Sequence, residues 1–286
     1  MYLQYTPSKL NLTLRVVGMR SDGYHNICSL FYRNEATEQL TIRVKKANNV
    51  SDSVTTEPFP IPGENIISRC LSVLRRTESF ANLPFLDVGI HKTIPPGTGI
   101  GAGSGNAAAF LRWAARFAGA ALPDGFCESI GADIPFLFEG SKLALVGDIG
   151  IVRERLSLDR GFNVILVIPD WFSNTRRAFS KLDSFFKGSF PRNETRAREE
   201  AFDVIGALNA GRRVGLLPND FACVLFQEHP EYELLAALGR SSGAPGYGLS
   251  GSGSAFFFLA DDDTSIVHIM HALKSLPWCR RIITMG

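Results

Sequence analysis

Residues 95–109 read Pro-Pro-Gly-Thr-Gly-Ile-Gly-Ala-Gly-Ser-Gly-Asn-Ala-Ala-Ala, with glycine at every second position from Gly97 to Gly105. An apolar helical pattern follows at once, with Phe110, Leu111, Ala114, Ala115 and Ala118 on one face. Glycine has no Cβ, so it reaches positive φ and lets another group come close to the backbone. Where such residues open a helix, bare N–H groups converge and the helix dipole favours negative charge. The segment predicts a phosphate cradle. It is not the Walker type, because no lysine lies between Lys92 and Lys142. Nor is it the dinucleotide fingerprint: counted from Gly97, Gly99 or Gly101, the sixth position is Ala102, Ser104 or Asn106 instead of glycine. A solvated glycine linker rarely runs straight into an apolar helix.

The 286 residues suit one large domain or two smaller ones. Hydrophobic residues make up 45% and charged residues 20%, the balance of a globular chain with a real core. A net charge of +2, with basic doublets scattered along the chain, predicts no nucleic-acid surface. The five cysteines are odd in number and widely spaced, without Cys-x-x-Cys, which argues against metal fingers and disulfide frameworks. Reduced thiols in a cytoplasmic protein are expected. The absence of an apolar leader or a membrane-length apolar run predicts no membrane association.

Outward from the glycine segment, residues 85–91 predict a strand feeding it, and 64–76 a helix with Ile67, Cys70, Leu71 and Leu74 at helical spacing. Residues 9–17 alternate Leu10, Leu12, Leu14 and Val16 with Asn11, Thr13 and Arg15, which predicts a half-buried strand. Residues 40–45 repeat that pattern, and 47–63, polar and proline-rich, predict a loop. In the second half, 164–168, 255–259 and 281–285 read as strands, and 198–210, 219–228, 231–239 and 264–275 as helices. Residues 183–200 read as a mobile connection. The alternation argues for an α+β fold in two lobes, with expected domains at 1–152 and 153–286.

Three further segments bear on chemistry. Lys9 and Asn11 lie at the start of the first strand, followed by Gly23-Tyr24-His25. Asp133 sits in Gly-Ala-Asp-Ile-Pro-Phe, in apolar company that is costly unless the carboxylate is paired or used. Alone, a cap or turn aspartate is the blander reading. Ser250-Gly-Ser-Gly-Ser254 forms a second small-residue turn before a strand. His268 and His271 are spaced i, i+3 on a helix, but no third ligand completes a metal set on that face.

Taken in order, Lys-Leu-Asn, Gly-Tyr-His, the glycine segment, Gly-Ala-Asp-x-Pro-Phe and Gly-Ser-Gly resemble the GHMP small-molecule kinases, over nearly the whole chain. The resemblance is greatest to the branch that acts on a cytidine-diphosphate-linked methylerythritol. It implies a two-lobe GHMP kinase fold with the active site in the cleft between lobes. It also implies ATP-dependent phosphorylation of that polyol's 2-hydroxyl, in non-mevalonate isoprenoid precursor synthesis, with ATP and Mg²⁺ as cofactors. ATP would lie on Pro95, Gly97, Gly99, Ile100, Gly101, Ala102, Gly103, Ser104, Gly105 and Asn106. Asp133 would accept the hydroxyl proton, and Lys9 beside it would stabilise the charge and polarise the hydroxyl. Asn11, Tyr24, His25, Thr175 and Phe179 would hold the substrate, with His25 reading the cytosine edge and Phe179 stacking on its ring. A monomer or weak homodimer is expected. Another GHMP kinase with a mevalonate- or homoserine-like substrate, or a silent nucleotide-binding relative, stays open on the same residues.

The chain departs from the family loop, which usually ends Gly-Gly-Gly-Ser-Ser-Asn/Asp. Gly105 stands at the second serine, so a hydroxyl that could help hold phosphate or metal is missing, and Ala102 adds a methyl. The stretch from Asn106 to Gly131 is shorter than the family pattern.

Overall fold

Two long strands open the chain, because residues 2–44 hold no proline beyond Pro7 and few helix-favouring runs. In the computed structural model, residues 1–46, 51–61 and 63–285 are described. The element order is β1 (Tyr2–Met19), β2 (His25–Val44), β3 (Ser53–Glu57), α1 (Ile66–Leu74), β4 (Leu86–His91), α2 (Ala102–Ala118), α3 (Phe126–Ile130), α4 (Ile134–Glu139), β5 (Leu143–Asp148), β6 (Ile151–Leu156) and β7 (Asn163–Pro169). Then follow α5 (Thr175–Phe186), α6 (Glu194–Asn209), β8 (Gly215–Leu216), α7 (Ala222–Glu228), α8 (Glu231–Ser242), β9 (Gly246–Leu249), β10 (Phe256–Ala260), α9 (Asp263–Lys274) and β11 (Cys279–Met285).

The chain forms two compact units, each assembled from separate stretches. The first comprises Met1–Lys9, Arg33–Pro96 and Gly101–Ser141; the second comprises Leu10–Tyr32, Gly97–Ile100 and Lys142–Gly286.

In the first unit, the C-terminal half of β2 pairs antiparallel with β4, Leu40 opposite Ile90. β3 pairs parallel with β4, Ser53 opposite Asp87. Leu40, Ile42, Val88 and Ile90 are buried, the period-2 signature of a sheet with one covered face. α2 packs against α1 and α4. Its small residues Ala107, Ala108 and Ala114 are fully buried beside Phe110 and Leu111, so it is a central helix.

In the second unit, the N-terminal half of β2 pairs antiparallel with β5, Ile27 opposite Asp148, and β5 pairs with β6. A separate sheet runs β11-β7-β10-β9-β8. Its core joins Ile165, Val167, Phe256 and Phe258 to Leu182, Leu235, Ile269 and Leu273 from the helices. At roughly 1.5–3 kcal/mol per buried large apolar side chain, this cluster is a major stabiliser of the unit.

Three expectations need correction. The strand read over 9–17 is not half-buried: Thr6 through Leu14 are buried on both faces. Its polar row is satisfied internally, Asn11 Nδ2 donating to Ser29 Oγ at 2.8 Å and Thr13 Oγ1 accepting from Leu30 N at 3.1 Å. The loop read over 47–63 contains β3, while residues 47–50 and 62 lie outside the described residues. Residues 183–200 are mostly helical: α5 runs to Phe186, and Asn193 caps α6 by accepting from Arg196 N at 2.9 Å. α5 carries Ala178, Phe179, Leu182, Phe185 and Phe186 at helical spacing, so its first part is an amphipathic helix that the polar residues after it obscured.

Candidate active site

In the first unit, α2 begins after Gly101, which takes φ +64°. No side chain caps this end and no acidic residue lies in its first turn. A long helix thus presents an uncompensated positive end, the arrangement that favours an anion. Two side chains meet there. Lys9 Nζ lies 3.7 Å from Asp133 Oδ2, with the lysine side chain 7% and the aspartate side chain 27% exposed. Both pack on Gly101: a Cβ there would stand 3.1 Å from Asp133 Oδ2 and 3.2 Å from Lys9 Cγ. Asp133 reaches this point because Pro135 and the Gly131 turn start α4 immediately after it. Burial pushes the Lys9 ammonium below the ordinary lysine value, and the charge of Asp133 opposes that shift. A buried cation beside a partly exposed carboxylate is the pair required for drawing a proton from a hydroxyl.

The rest of the helix start is uneven. Ala102 is buried, Ser104 is half-buried, and a Cβ on Gly103 would meet nothing within 4 Å. Gly105 differs: a Cβ there would lie 1.6 Å from the Pro7 carbonyl oxygen. The glycine is a packing requirement of α2 against β1. The missing hydroxyl read from the sequence is therefore corrected, since a side chain at 105 would point into β1 backbone.

In the second unit, residues 97–100 dock on the turn 250–255, so the two small-residue segments read separately in the sequence meet. Ala255 N donates to Thr98 O at 3.1 Å, and Ser250 Oγ donates to Gly99 O at 3.2 Å. Gly99 has φ +77°, and a Cβ on it would lie 2.2 Å from Ser250 O. Asn11 is 2% exposed and its backbone N–H reaches Ser250 Oγ at 3.4 Å. Thr175, the first residue of α5, places its hydroxyl 3.0 Å from Ser252 Oγ.

His25 and Phe179 also come together in the second unit. Their rings stack at 4.5 Å with an interplanar angle of 18°. Phe190 packs edge-on against His25, and Phe221 edge-on against Phe179. His25 Nε2 lies 2.7 Å from Asp183 Oδ1. A carboxylate accepts only, so Nε2 carries the proton in the neutral ring and Nδ1 is left as an acceptor. Phe179 lies on the histidine ring; Tyr24 is 67% exposed in the adjoining turn. Asp183 escaped the sequence reading because it fell in the supposed mobile connection, although it stands i+4 from Phe179 on α5.

Thiol chemistry finds no support. All five thiols are free, and burial pushes Cys28, Cys127 and Cys223 up to about 11 and Cys70 and Cys279 up to about 12. They are protonated and poor nucleophiles at neutral pH. No described helix is long and apolar enough to cross a membrane.

Comparison with known proteins converges on one family. Residues 65–141 match the GHMP kinases N terminal domain and residues 203–276 the GHMP kinases C terminal domain. A 4-diphosphocytidyl-2-C-methyl-D-erythritol kinase of Porphyromonas gingivalis is 34% identical over 262 residues, covering 88% of this chain and 89% of its own. The protein of the same name from Thermotoga maritima is 31% identical over 256 residues, covering 88% and 89%. A crystal structure of 4-(cytidine 5'-diphospho)-2C-methyl-D-erythritol kinase superposes with a TM-score of 0.79 at 26% identity, covering 100% of this chain and 99% of that one. A crystal structure of L. major mevalonate kinase superposes at a TM-score of 0.66 and 16% identity, covering 100% of this chain and 95% of that one, a likeness of fold alone. The chain belongs to the GHMP kinases, in the group of the 4-diphosphocytidyl-2-C-methyl-D-erythritol kinases.

Proposed function

We propose that the chain transfers the γ-phosphoryl group of ATP to the 2-hydroxyl of 4-diphosphocytidyl-2-C-methyl-D-erythritol, a step of non-mevalonate isoprenoid precursor synthesis. The observation that carries this reading is the Lys9–Asp133 pair packed on Gly101, where α2 begins uncapped. Asp133 takes the proton of the hydroxyl as its oxygen forms the new bond to the γ-phosphorus. The bond from that phosphorus to the β–γ bridging oxygen breaks, and ADP leaves. Lys9 holds the developing alkoxide charge in a buried, low-dielectric setting. The glycine segment and Ser104 hold the phosphates through N–H groups and the helix start.

The residues present fit Mg²⁺ only in one way. Among the described residues, no three His, Cys, Asp or Glu side chains gather as a metal cage. A magnesium ion arriving on the triphosphate keeps most of its water and takes one or two protein oxygens. Ser104 Oγ, in the first turn of α2, is the side-chain oxygen there suited to it, which leaves the Asp133 carboxylate free to take the proton. Bound there, the ion would neutralise charge on the phosphates.

On the substrate side, Asp183 fixes the His25 tautomer, so Nδ1 accepts from the exocyclic amine of cytosine. Phe179 sets the plane of the histidine and, with exposed Tyr24, offers aromatic surface to the base. Thr175 serves as a polar contact, while Asn11, 2% exposed and bonded to Ser29 Oγ, is held inside the fold. His25→Ala is expected to raise the KM of the cytidyl substrate by about tenfold or more while leaving that of ATP near wild type. Equal effects on both would count against a cytosine pocket.

The pH profile tests Lys9. It must be protonated to stabilise the alkoxide, and burial lowers its pKa. Activity should therefore fall as pH rises through a value below that of an ordinary lysine. An alkaline limb absent up to that ordinary value would remove Lys9 from the chemistry. The decisive assay of the function follows ATP consumption with the cytidyl-linked methylerythritol offered beside mevalonate, homoserine and galactose. Turnover with the first substrate is expected; preference for another would reject the reading.

A further inference from the structure

Glu38 lies on β2 in the first unit, 1% exposed, and its carboxylate is fully engaged. Lys92, 3% exposed and just beyond β4, places Nζ 3.0 Å from Oε1 and 2.9 Å from Oε2. Ile94 N donates to Oε1 at 3.1 Å. Asn106 Nδ2 donates to Oε2 at 2.7 Å. Ile94 is the last residue before the segment 95–105, and Asn106 is the first after it. One buried carboxylate thus grips both ends of the glycine-rich segment.

A buried ion pair is weak evidence of stability, because apolar residues of similar volume often serve as well. Its geometry is more telling. A stretch with five glycines carries a large conformational entropy, which a ligand must overcome unless the protein has already done so. Fixing both ends in the free protein lowers that cost, the general benefit of preorganisation. The carboxylate also sets the Asn106 amide: its NH₂ group must face Glu38, and Oδ1 is left buried without a hydrogen-bond partner.

We propose that Glu38 is a positioning residue for nucleotide binding, holding the two ends of the 95–105 segment at a fixed separation through Ile94 and Asn106. This rests on the reading of that segment as the ATP loop. Glu38 touches no reacting atom and acts through the loop.

The test uses the full chain and two variants. E38M/K92M removes both charges together, so no buried ion is stranded; E38D keeps the charge opposite Lys92 and shortens the reach by one methylene. For each, ATP affinity is measured by calorimetry, amide exchange across 97–106 by mass spectrometry, and steady-state KM for both substrates. Expected are an ATP Kd raised by about tenfold, faster exchange confined to 97–106, and an unchanged KM for the cytidyl substrate, in whichever variants melt cooperatively. Wild-type ATP affinity and wild-type exchange in a folded variant would overturn the proposal. A wild-type protein that binds no ATP would instead overturn the nucleotide reading, and the exchange measurement would still decide whether Glu38 clamps the segment.

Discussion

Asp133→Asn is expected to lower kcat by about 10³-fold or more while leaving the Kd for ATP within about twofold of wild type. Asparagine preserves the volume of the side chain packed on Gly101, 3.1 Å from the position a Cβ would occupy there. What it removes is the acceptor of a proton. The uncapped start of α2 remains, so the phosphates keep their cradle. The substitution also takes the negative charge away from the buried Lys9 ammonium, which burial already disfavours. A modest fall in Tm should accompany the loss of turnover. Adding Lys9→Met in the same chain should restore Tm without restoring turnover, which separates the folding effect from the chemical one. Phosphorylation at an undiminished rate in the single variant would reject Asp133 as the base.

The parts of this site legible in the sequence are those in which residue type alone limits what the backbone can do. Glycines running into an alanine-rich helix announce the cradle, and an aspartate among Gly, Ala, Ile and Phe announces a carboxylate out of its usual setting. Lys9 became legible only through the resemblance of the ordered motifs, since a lysine on a strand is ordinarily a surface charge. The rest depends on pairings the sequence does not display. Glu38, Lys92 and Asn106 are separated by 54 and 68 positions from the carboxylate outward and meet only once β2, β4 and α2 are packed. Asp183 was hidden because it stands on the polar side of α5, where the sequence shows only one charge among several, and its partner His25 is 158 positions away. The polar row of β1 looked like a solvent face because alternation reports a difference between two faces, and here both are buried, one apolar and one hydrogen-bonded.

Gly105→Ser carries the second large effect, and its sign opposes the reading from sequence. If position 105 had merely lost a phosphate ligand, restoring the family's serine would tighten ATP binding. The structure predicts the reverse. A Cβ at 105 would lie 1.6 Å from the oxygen and 2.7 Å from the carbon of the Pro7 carbonyl, both backbone atoms with no rotamer to give way. Relief requires α2 to move off β1, and Pro7 is two residues from Lys9, so the shift reaches the Lys9–Asp133 pair. A loss of about 3 kcal/mol or more in urea unfolding is expected, with weaker ATP binding and lower kcat together. Gly103→Ala supplies the contrast two positions earlier on the same helix. Its Cβ would meet nothing within 4 Å, so helix propensity should raise stability by roughly 0.5–1 kcal/mol. A Gly105→Ser protein with wild-type stability and tighter ATP binding would show that this position faces the phosphates after all, and would remove the close approach of α2 to β1 as the reason for its glycine.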